Sequence, residues 1–554
     1  MAYDVVIRNG FVVDGSGLGS FRADVGVVGD RIAAVGRITE RGAVEVDAEG
    51  HVVTPGFIDV HTHFDAQLFW DPAGTNSCWH GVTTVVMGNC GFTLAPAAAE
   101  EAPLVVRNLE RAEDISAVAL AEGIDWSWTT FPEFLDTVDR LPKGINYAAL
   151  FGHSAVRTHV MGQRAFEEEA TDDDLRAMEM HLREGMAAGA AGFSTSRTMQ
   201  HRTSDDKPVA SRLAAWSEVD YLVRVVADSG GGNFQFVEDP LQGEEAAARR
   251  DQLIALAADT GVTFTMAAMK RPALAQLDRA AAAGARFVGV CHPRGIGAMS
   301  SFRTQLPFDR LPVWRAFRAL PHDEQLRRLH DEAVVADLVR AANESAYGEA
   351  VGAEARPPEF DRMRVMDAPV PPNPTVAEVA RARGVDPVEC MIQLARETDL
   401  DQFFVQTFFP FDPDEAAEVL QHPHVVMGFS DSGAHVSQMS DASIQTHLLA
   451  HYVRDRGRFS LEEAVRMMTL APARAYGFHD RGMVREGLVA DLNVIDPATV
   501  APAMPTVVHD LPGGETRISQ KAEGITATLV RGRVTVRDGA HTGELPGTLV
   551  RRRA

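Results

Sequence analysis

The chain has little of several residue types that would point to particular classes of protein. It has four cysteines in 554 residues, and their irregular spacing gives neither a zinc-finger motif nor a disulfide framework. Its formal net charge of −24 leaves no excess of basic residues for nucleic acid or an anionic membrane. No uncharged apolar run reaches the roughly 18 residues of a membrane span. We therefore expect neither a nucleic-acid nor a membrane partner.

The two ends of the chain predict neither a signal peptide nor a basic binding patch. The segment Met1–Ile7 has no positive stretch followed by an apolar core, so it does not read as a signal peptide. The three arginines at 551–553 stand alone, and we expect a frayed tail there rather than a binding patch. These features predict a cytoplasmic protein with reduced thiols.

Short β-type segments occupy both ends of the chain. Residues 4–15 and 24–36 alternate β-branched residues with Asn-Gly and Asp-Gly turn signals, and residues 490–495 and 526–539 repeat the pattern. We expect residues 1–55 and 485–554 to form one small β-sandwich domain assembled from both termini.

The middle of the chain, residues 56–484, alternates apolar strand-like runs with helical stretches, which is typical of parallel βα units. The clearest helix follows Thr171, with Leu175, Met178 and Leu182 at helical spacing. Eight strand-like runs predict an α/β fold of the (β/α)8 (TIM) barrel type. These runs are Gly56–Val60, Thr83–Met87, Ile145–Phe151, Ala191–Ser194, Asn233–Val237, Val262–Met266, Arg286–Val290 and His424–Phe429.

The seventh and eighth runs are separated by a long stretch that is partly helical and charged and partly rich in proline. It is too long for a simple βα loop. We therefore expect an insertion at about residues 295–400, before the last barrel strand and near the active face.

The sharpest functional signal is the segment Pro55–His63, in which an apolar strand ends in His61 and His63. Because the two histidines are two residues apart, their side chains project the same way. The carboxyl ends of the strands form the active face of such a barrel. Neutral imidazoles placed there suit a divalent metal such as zinc.

Two other candidate residues follow strand-like runs. Cys90 comes after the second run, where zinc binding would drive deprotonation of its thiol. Asp431 comes after the eighth run. A carboxylate beside a cation keeps a low pKa and can still accept a proton from metal-bound water.

The whole chain resembles the amidohydrolase superfamily and, within it, the N-acyl-D-amino-acid deacylases (D-aminoacylases). Besides the His-x-His strand, the resemblance rests on the segments Gly88–Pro96, Gly152–Arg157, Gly192–Thr195 and Gly428–Gly433. It implies that Cys90 is a metal ligand in place of a carbamylated lysine on strand four, and strand four here has no lysine. It also implies that Asp431 contacts the metal and works as the general base.

The sequence departs from that family at strands five and six. D-aminoacylases have a metal-binding histidine at the end of each, whereas the segments Phe234–Asp239 and Phe264–Lys270 contain none. The remaining metal ligands are His61, His63, Cys90 and Asp431, and we expect one zinc ion rather than two. Five residues are candidate replacements for the missing histidines: Glu238, His153, His201, His292 and His435.

Several residues near predicted strand ends are candidates for substrate contacts. His153 ends strand three inside a family motif, so we expect it to contact the transition state. Cationic side chains there suit a substrate carboxylate. The candidate substrate-binding residues are Arg157, Arg197, Lys270, Arg294 and His435.

The predicted activity is hydrolysis of the N-acyl bond of a D-amino acid or a related N-acylated small molecule. Metal-bound hydroxide would attack the carbonyl carbon, with Asp431 as general base. Two alternatives stay open: a cyclic amide or imide hydrolase, and a catalytically inactive binding protein. The predicted partner is a small-molecule substrate, and a homo-oligomer is left open.

Overall fold

The computed structural model describes residues 3–238, 241–348, 356–438 and 441–552. Eight parallel strands lie side by side in chain order and form a nearly closed barrel. Each of the eight predicted runs overlaps one of these strands to within two residues at either end, so the TIM-barrel prediction is confirmed. The barrel strands are Phe57–Asp59, Val82–Met87, Asn146–Gly152, Gly192–Ser196, Asn233–Val237, Thr263–Ala267, Phe287–Cys291 and Val425–Met427.

The barrel closes at its active face through the loops that follow the first and last strands. The amide of Asp431 donates to the carbonyl of His61 at 3.2 Å, and the amide of His63 donates to Ser432 at 2.7 Å. Gly433 lies against this junction with φ +96°, and a Cβ there would lie 2.4 Å from the carbonyl oxygen of His63. Only glycine fits such a position. This closure brings Asp431 beside the two histidines.

Helices surround the barrel and share one continuous hydrophobic core with it. The predicted helix is Asp172–Ala187, capped by Thr171 and Asp174, and it buries Met178 and Leu182. The other helices of the barrel are Phe64–Gln67, Ala102–Leu109, Ala117–Gly123, Phe131–Arg140, His153–Met161, Trp216–Asp228, Gly243–Thr260, Pro272–Ala282, Pro413–Leu420, Ile444–His447, the π-helix Leu448–Asp455, Leu461–Met468 and Leu470–Ala475. Among the described residues, none of the helices has the length and apolarity needed to span a bilayer.

A nine-stranded sheet draws on both ends of the chain. Strand Val52–Pro55 pairs with Leu492–Ile495, which joins the two ends in the middle of the sheet. The prediction of one β unit built from both termini is confirmed in this respect, while its limits at 1–55 and 485–554 stay a prediction. The other strands are Tyr3–Val12, Phe21–Val28, Arg31–Gly36, Gly42–Asp47, Ile525–Val530, Arg533–Arg537 and Ala540–His541.

Two expectations about the ends of the chain are wrong. The pair Asn9–Gly10 is a bulge inside one continuous strand rather than a turn, because Asn9 takes φ +62° and the register shifts there. The C-terminal arginines are anchored rather than frayed. Arg551 donates to the carbonyl of Ala188 and Arg552 to that of Gly230, while Arg553 lies outside the described residues.

The predicted insertion lies between barrel strands seven and eight and has a hydrophobic core of its own, with Trp314 and Phe404 fully buried in it. A small antiparallel sheet and five helices enclose this core. The strands are Gly297–Ser300, Arg364–Val365 and Phe404–Thr407, and the helices are Pro312–Arg318, His322–Arg328, Glu332–Glu344, Val376–Arg383 and Pro387–Glu397. Two further strand pairs, Ala501–Pro502 with Ala522–Glu523 and Thr506–Val508 with Arg517–Ser519, complete the described sheets.

Candidate metal centre

The side chains of His61 and His63 converge just beyond the first barrel strand. Both are buried, and both Nε2 atoms lie near Oδ1 of Asp431, at 3.3 Å from His61 and 3.6 Å from His63. The ring of Phe429 stacks on His61 with centroids 3.9 Å apart. The two histidines and the distant aspartate that the sequence analysis singled out therefore lie together at one site in the structure.

Cys90 joins the same cluster from the loop after strand two, with its Sγ 3.5 Å from Nε2 of His61. The loop turns sharply, because Gly88 takes φ +79° and a Cβ there would lie 2.5 Å from the carbonyl oxygen of Leu150. Cys90 itself takes φ +57°, which is unusual for a residue with a side chain. This strained turn is what directs the thiol toward the histidines.

Neighbouring barrel strands hold this loop in place. On strand five, Oε1 of Gln235 accepts the amide of Cys90 at 2.6 Å. On strand four, the hydroxyl of Ser194 accepts the amide of Gly91 at 3.0 Å. Within the loop, the side-chain amide of Asn89 donates to the carbonyl of Val86 at 2.9 Å. The Gly-Asn-Cys-Gly motif therefore positions the sulfur atom of Cys90.

Gln235 gives a testable prediction about this support. The variant Gln235→Leu keeps the side-chain volume but leaves the buried amide of Cys90 without its acceptor. We expect zinc affinity, measured by competition with a chromogenic chelator, to fall about 10–100-fold, the usual loss for a residue that orients a metal ligand. Gln200→Leu, which alters an exposed residue of the same cavity, serves as the control. Equal affinities in the two variants would show that Gln235 has no such role.

A buried glutamate that the sequence did not single out completes the cluster. Glu113 is 1% exposed, and its Oε2 lies 3.4 Å from Nε2 of His63 and 3.6 Å from Nε2 of His435. Its backbone carbonyl accepts the amide of His435 at 2.6 Å, which joins the loops after strands two and eight. Glu113 stands in the short charged turn between the helices Ala102–Leu109 and Ala117–Gly123, and no spacing or motif marks it there. Only the tertiary structure reveals it.

The electrostatics of the cluster favour a positive charge between its carboxylates. Burial lowers the pKa of His61 to about 3, which keeps that imidazole neutral. Burial alone would also lower the pKa of His63, but Glu113 and Asp431 raise it to about 9. Burial together with Glu113 and Asp431 raises the pKa of the Cys90 thiol well above its ordinary value. A thiol in this place becomes a thiolate when a cation offsets the neighbouring negative charge.

The residues present fit a divalent metal ion. The ligand atoms of His61, His63 and Cys90 lie within 4.8 Å of one another, and Asp431 adjoins them. Among the described residues, the buried Oε1 of Glu113 has no hydrogen-bond partner, as expected of an atom that faces a cation. Two imidazoles, a thiolate and a carboxylate are donors typical of zinc.

A cavity of about 600 Å³ opens onto this cluster. Of the five predicted substrate-binding residues, His435 lines it, as does His201 from the set of candidate replacements. The insertion contributes one wall through Phe408 and Arg310. The cavity is large enough for a small molecule and has apolar as well as charged walls.

His153 and Arg157 lie apart from the lining of this cavity, in a buried ion cluster. The His153 ring bonds the hydroxyl of Thr195 and the carboxylate of Glu218, both at 2.8 Å, so both ring nitrogens are engaged. The guanidinium of Arg157 donates to the same carboxylate at 2.6 Å. Burial alone would raise the pKa of Glu218, but His153 and Arg157 lower it. The geometry supports a structural role for these residues, and their predicted substrate contacts stay predictions.

Removal of the Glu218 carboxylate tests the structural role of the buried cluster that it forms with His153 and Arg157. In the variant Glu218→Gln, the buried guanidinium of Arg157 loses its counter-charge. We expect the free energy of unfolding to fall by about 3–5 kcal/mol, the usual cost of leaving one partner of a buried pair. The midpoint of thermal unfolding should drop, whereas Glu184→Gln, on the exposed surface, should leave it unchanged. A Glu218→Gln protein as stable as the wild type would contradict the assignment.

The other three predicted cations are also placed away from the cavity lining. Arg197 donates to the carbonyl of Ala214 at 2.7 Å, and Lys270 is exposed beyond strand six. Arg294 pairs with Asp441 at 2.6 Å and lines a separate cavity of about 500 Å³. Two arginines that the sequence did not single out, Arg111 and Arg310, line the metal-centre cavity instead. The predicted substrate contacts of Arg197, Lys270 and Arg294 therefore stay predictions.

Comparison with known proteins assigns the family. Residues 44–536 match the amidohydrolase family, and the chain belongs to it. A D-aminoacylase from Alcaligenes xylosoxydans xylosoxydans is 29% identical over 555 residues, covering 100% of this chain and 98% of the relative. The resemblance predicted from the sequence motifs is thereby confirmed.

Two solved structures share the fold over almost their whole length. An N-acyl-D-glutamate deacylase from Bordetella bronchiseptica, in complex with zinc and a phosphonate that mimics the tetrahedral intermediate, has a TM-score of 0.66 and 27% identity and covers 100% of both chains. A D-aminoacylase described with a binuclear metal centre, one-metal activation and second-metal attenuation has a TM-score of 0.66 and 26% identity. It covers 99% of this chain and 100% of its own.

Proposed function

We propose that this protein is a metal-dependent amide hydrolase that removes the acyl group from N-acyl-D-amino acids. The observation that carries the proposal is the convergence of His61, His63 and Cys90 on Asp431 at the floor of one cavity. The relatives that act on N-acyl-D-amino acids support the choice of substrate.

The metal would be held by His61, His63 and Cys90, with Asp431 beside it. When bound, such an ion activates water and polarises the amide carbonyl. The protein fixes the position of these ligands. Hydrogen bonds hold both the strained loop of Cys90 and the junction of the loops that follow the first and last barrel strands.

Asp431 is placed to move the proton. Burial alone would raise the pKa of its carboxyl, but His63 and His61 lower it below its usual range, so the group is ionised at neutral pH. Its side chain is 14% exposed and lines the cavity. The carboxylate can accept a proton from the attacking water and deliver it to the departing amine nitrogen.

The cavity walls fit the two ends of such a substrate. The guanidinium groups of Arg111 and Arg310 line it and can bind a carboxylate, and Arg111 also pairs with Asp206 at 2.6 Å. The aromatic rings of Phe408, Phe409 and Phe429 offer an apolar surface to the acyl or amino-acid side chain. Together they favour a compact N-acylated amino acid.

A panel of N-acetyl-D-amino acids and their L enantiomers tests the proposal. Zinc-loaded protein should release the free D-amino acid, measured by chromatography, and turn over the L enantiomers poorly. Acidic, apolar and aromatic members of the panel would show which side chain the cavity prefers. Failure to cleave any linear N-acyl compound, with turnover of cyclic amides instead, would contradict the proposed reaction.

A further inference from the structure

Barrel strands five and six lack the histidines that the D-aminoacylases carry there, and they serve other purposes in this chain. The inward residue of strand five, Gln235, uses its side-chain oxygen to accept the amide of Cys90 at 2.6 Å. Strand six, Thr263–Ala267, contains no histidine, cysteine or carboxylate. Any second set of metal ligands must therefore come from other elements.

We propose that Cys90, Glu113 and His201 form a second metal site, built from the loops after strands two and four. The ligand atoms of these three residues lie within 4.8 Å of one another. Cys90 and Glu113 are buried, and His201 is half-buried at the wall of the cavity. Because Cys90 also belongs to the cluster with His61 and His63, its sulfur would be common to both sites.

The ring of His201 is oriented as that of a metal ligand. Its Nδ1 bonds the hydroxyl of Ser196 at 2.7 Å, which leaves Nε2 for a cation. The ring packs on Phe92, with centroids 5.3 Å apart. Metal-binding histidines commonly have their second nitrogen fixed in this way, because the bond sets both tautomer and direction.

Glu113 supplies the independent observation that points to a cation. Its side chain is fully buried, and within the part of the chain that the structure describes its Oε1 accepts no hydrogen bond. Its other oxygen lies 3.4 Å from Nε2 of His63 and 3.6 Å from Nε2 of His435. An unpaired carboxylate oxygen in the interior is costly, and a cation beside it removes that cost.

The three donors are a sulfur, a carboxylate oxygen and an imidazole nitrogen, which together suit zinc or cobalt. Binding would displace the thiol proton of Cys90 to the solvent and leave a thiolate on the ion. The second site goes beyond the proposed function. Its test is independent of that function, because metal content is measured without any substrate. Failure of the hydrolase proposal would not affect the result.

Zinc content after dialysis, measured by mass spectrometry on the full chain, tests the site. In place of the single zinc ion expected from the sequence, we now expect two zinc ions per chain in the wild type and one in Glu113→Gln and in His201→Ala. Two matched controls should keep both ions. Glu110→Gln removes a carboxylate from the same cavity wall, and His424→Ala removes an exposed histidine elsewhere.

A variant without the first site isolates the second. In the double variant His61→Ala/His63→Ala, we expect one cobalt ion to bind and to give a thiolate-to-cobalt charge-transfer band in the near ultraviolet. The further substitution His201→Ala should abolish both the ion and the band. Circular dichroism of each variant reports whether it is folded.

Two results would overturn the proposal. One is a folded double variant that binds no cobalt. The other is a pair of variants, Glu113→Gln and His201→Ala, that hold as much zinc as the wild type. If the double variant does not fold, the zinc content of Glu113→Gln and His201→Ala decides whether the second site exists. Glu113→Gln preserves the side-chain volume, so we expect this variant to fold.

Discussion

Asp431→Asn is expected to lower kcat for amide hydrolysis by about 10²–10⁴-fold, the usual contribution of a positioned general base. An amide keeps the shape of the carboxylate but cannot take a proton from water. His61, His63 and Cys90 are unchanged in this variant, so metal content should stay close to that of the wild type. Steady-state kinetics on an N-acetyl-D-amino acid measure the effect.

The control for this prediction is Asp361→Asn, an exposed aspartate in the insertion. It should leave kcat unchanged. If Asp431→Asn binds the same amount of zinc and keeps more than about a tenth of the wild-type kcat, Asp431 is not the general base.

Cys90→Ala is expected to give the largest loss of metal. The sulfur lies 3.5 Å from Nε2 of His61, and it also groups with Glu113 and His201, so its removal takes a ligand from both sets of donors. Loss of a residue that only supports a ligand costs about 10–100-fold in metal affinity. For loss of the ligand itself we expect more than about 100-fold, with a parallel fall of kcat/KM at limiting zinc.

Cys291→Ala is the matched control, because this thiol is equally buried but ends barrel strand seven outside the metal cluster. It should keep zinc and activity. A Cys90→Ala protein that retains both would contradict the placement of the metal. It would also remove the shared ligand on which the second site depends.

The barrel was predictable because its strands leave a strong local signal. Most of them are short, largely apolar runs, such as Val82–Met87, bounded by turn residues and followed by a helix. The carboxyl ends of these strands meet at one face, so His61 and Asp431 could be placed together although 370 residues separate them.

Residues whose role depends on contacts with distant elements of the chain were not predictable in the same way. Glu113 lies 23 residues beyond Cys90, in the turn that follows the helix Ala102–Leu109, and a glutamate in a charged stretch resembles a surface residue. Arg157 shows the opposite case. Its place beside a strand end predicts a substrate contact, but nothing in that segment indicates that it pairs with Glu218 inside the protein. Partners that come from distant elements leave no trace in local sequence.

The most direct test of the central claim is reconstitution of the chelated protein with zinc. Protein stripped of metal should not hydrolyse N-acetyl-D-amino acids, and the initial rate should rise as zinc equivalents are added back. The same titration on Asp431→Asn should restore metal but not the rate. A protein shown by elemental analysis to be free of metal, yet hydrolysing these substrates at the rate of the zinc-loaded form, would contradict the account.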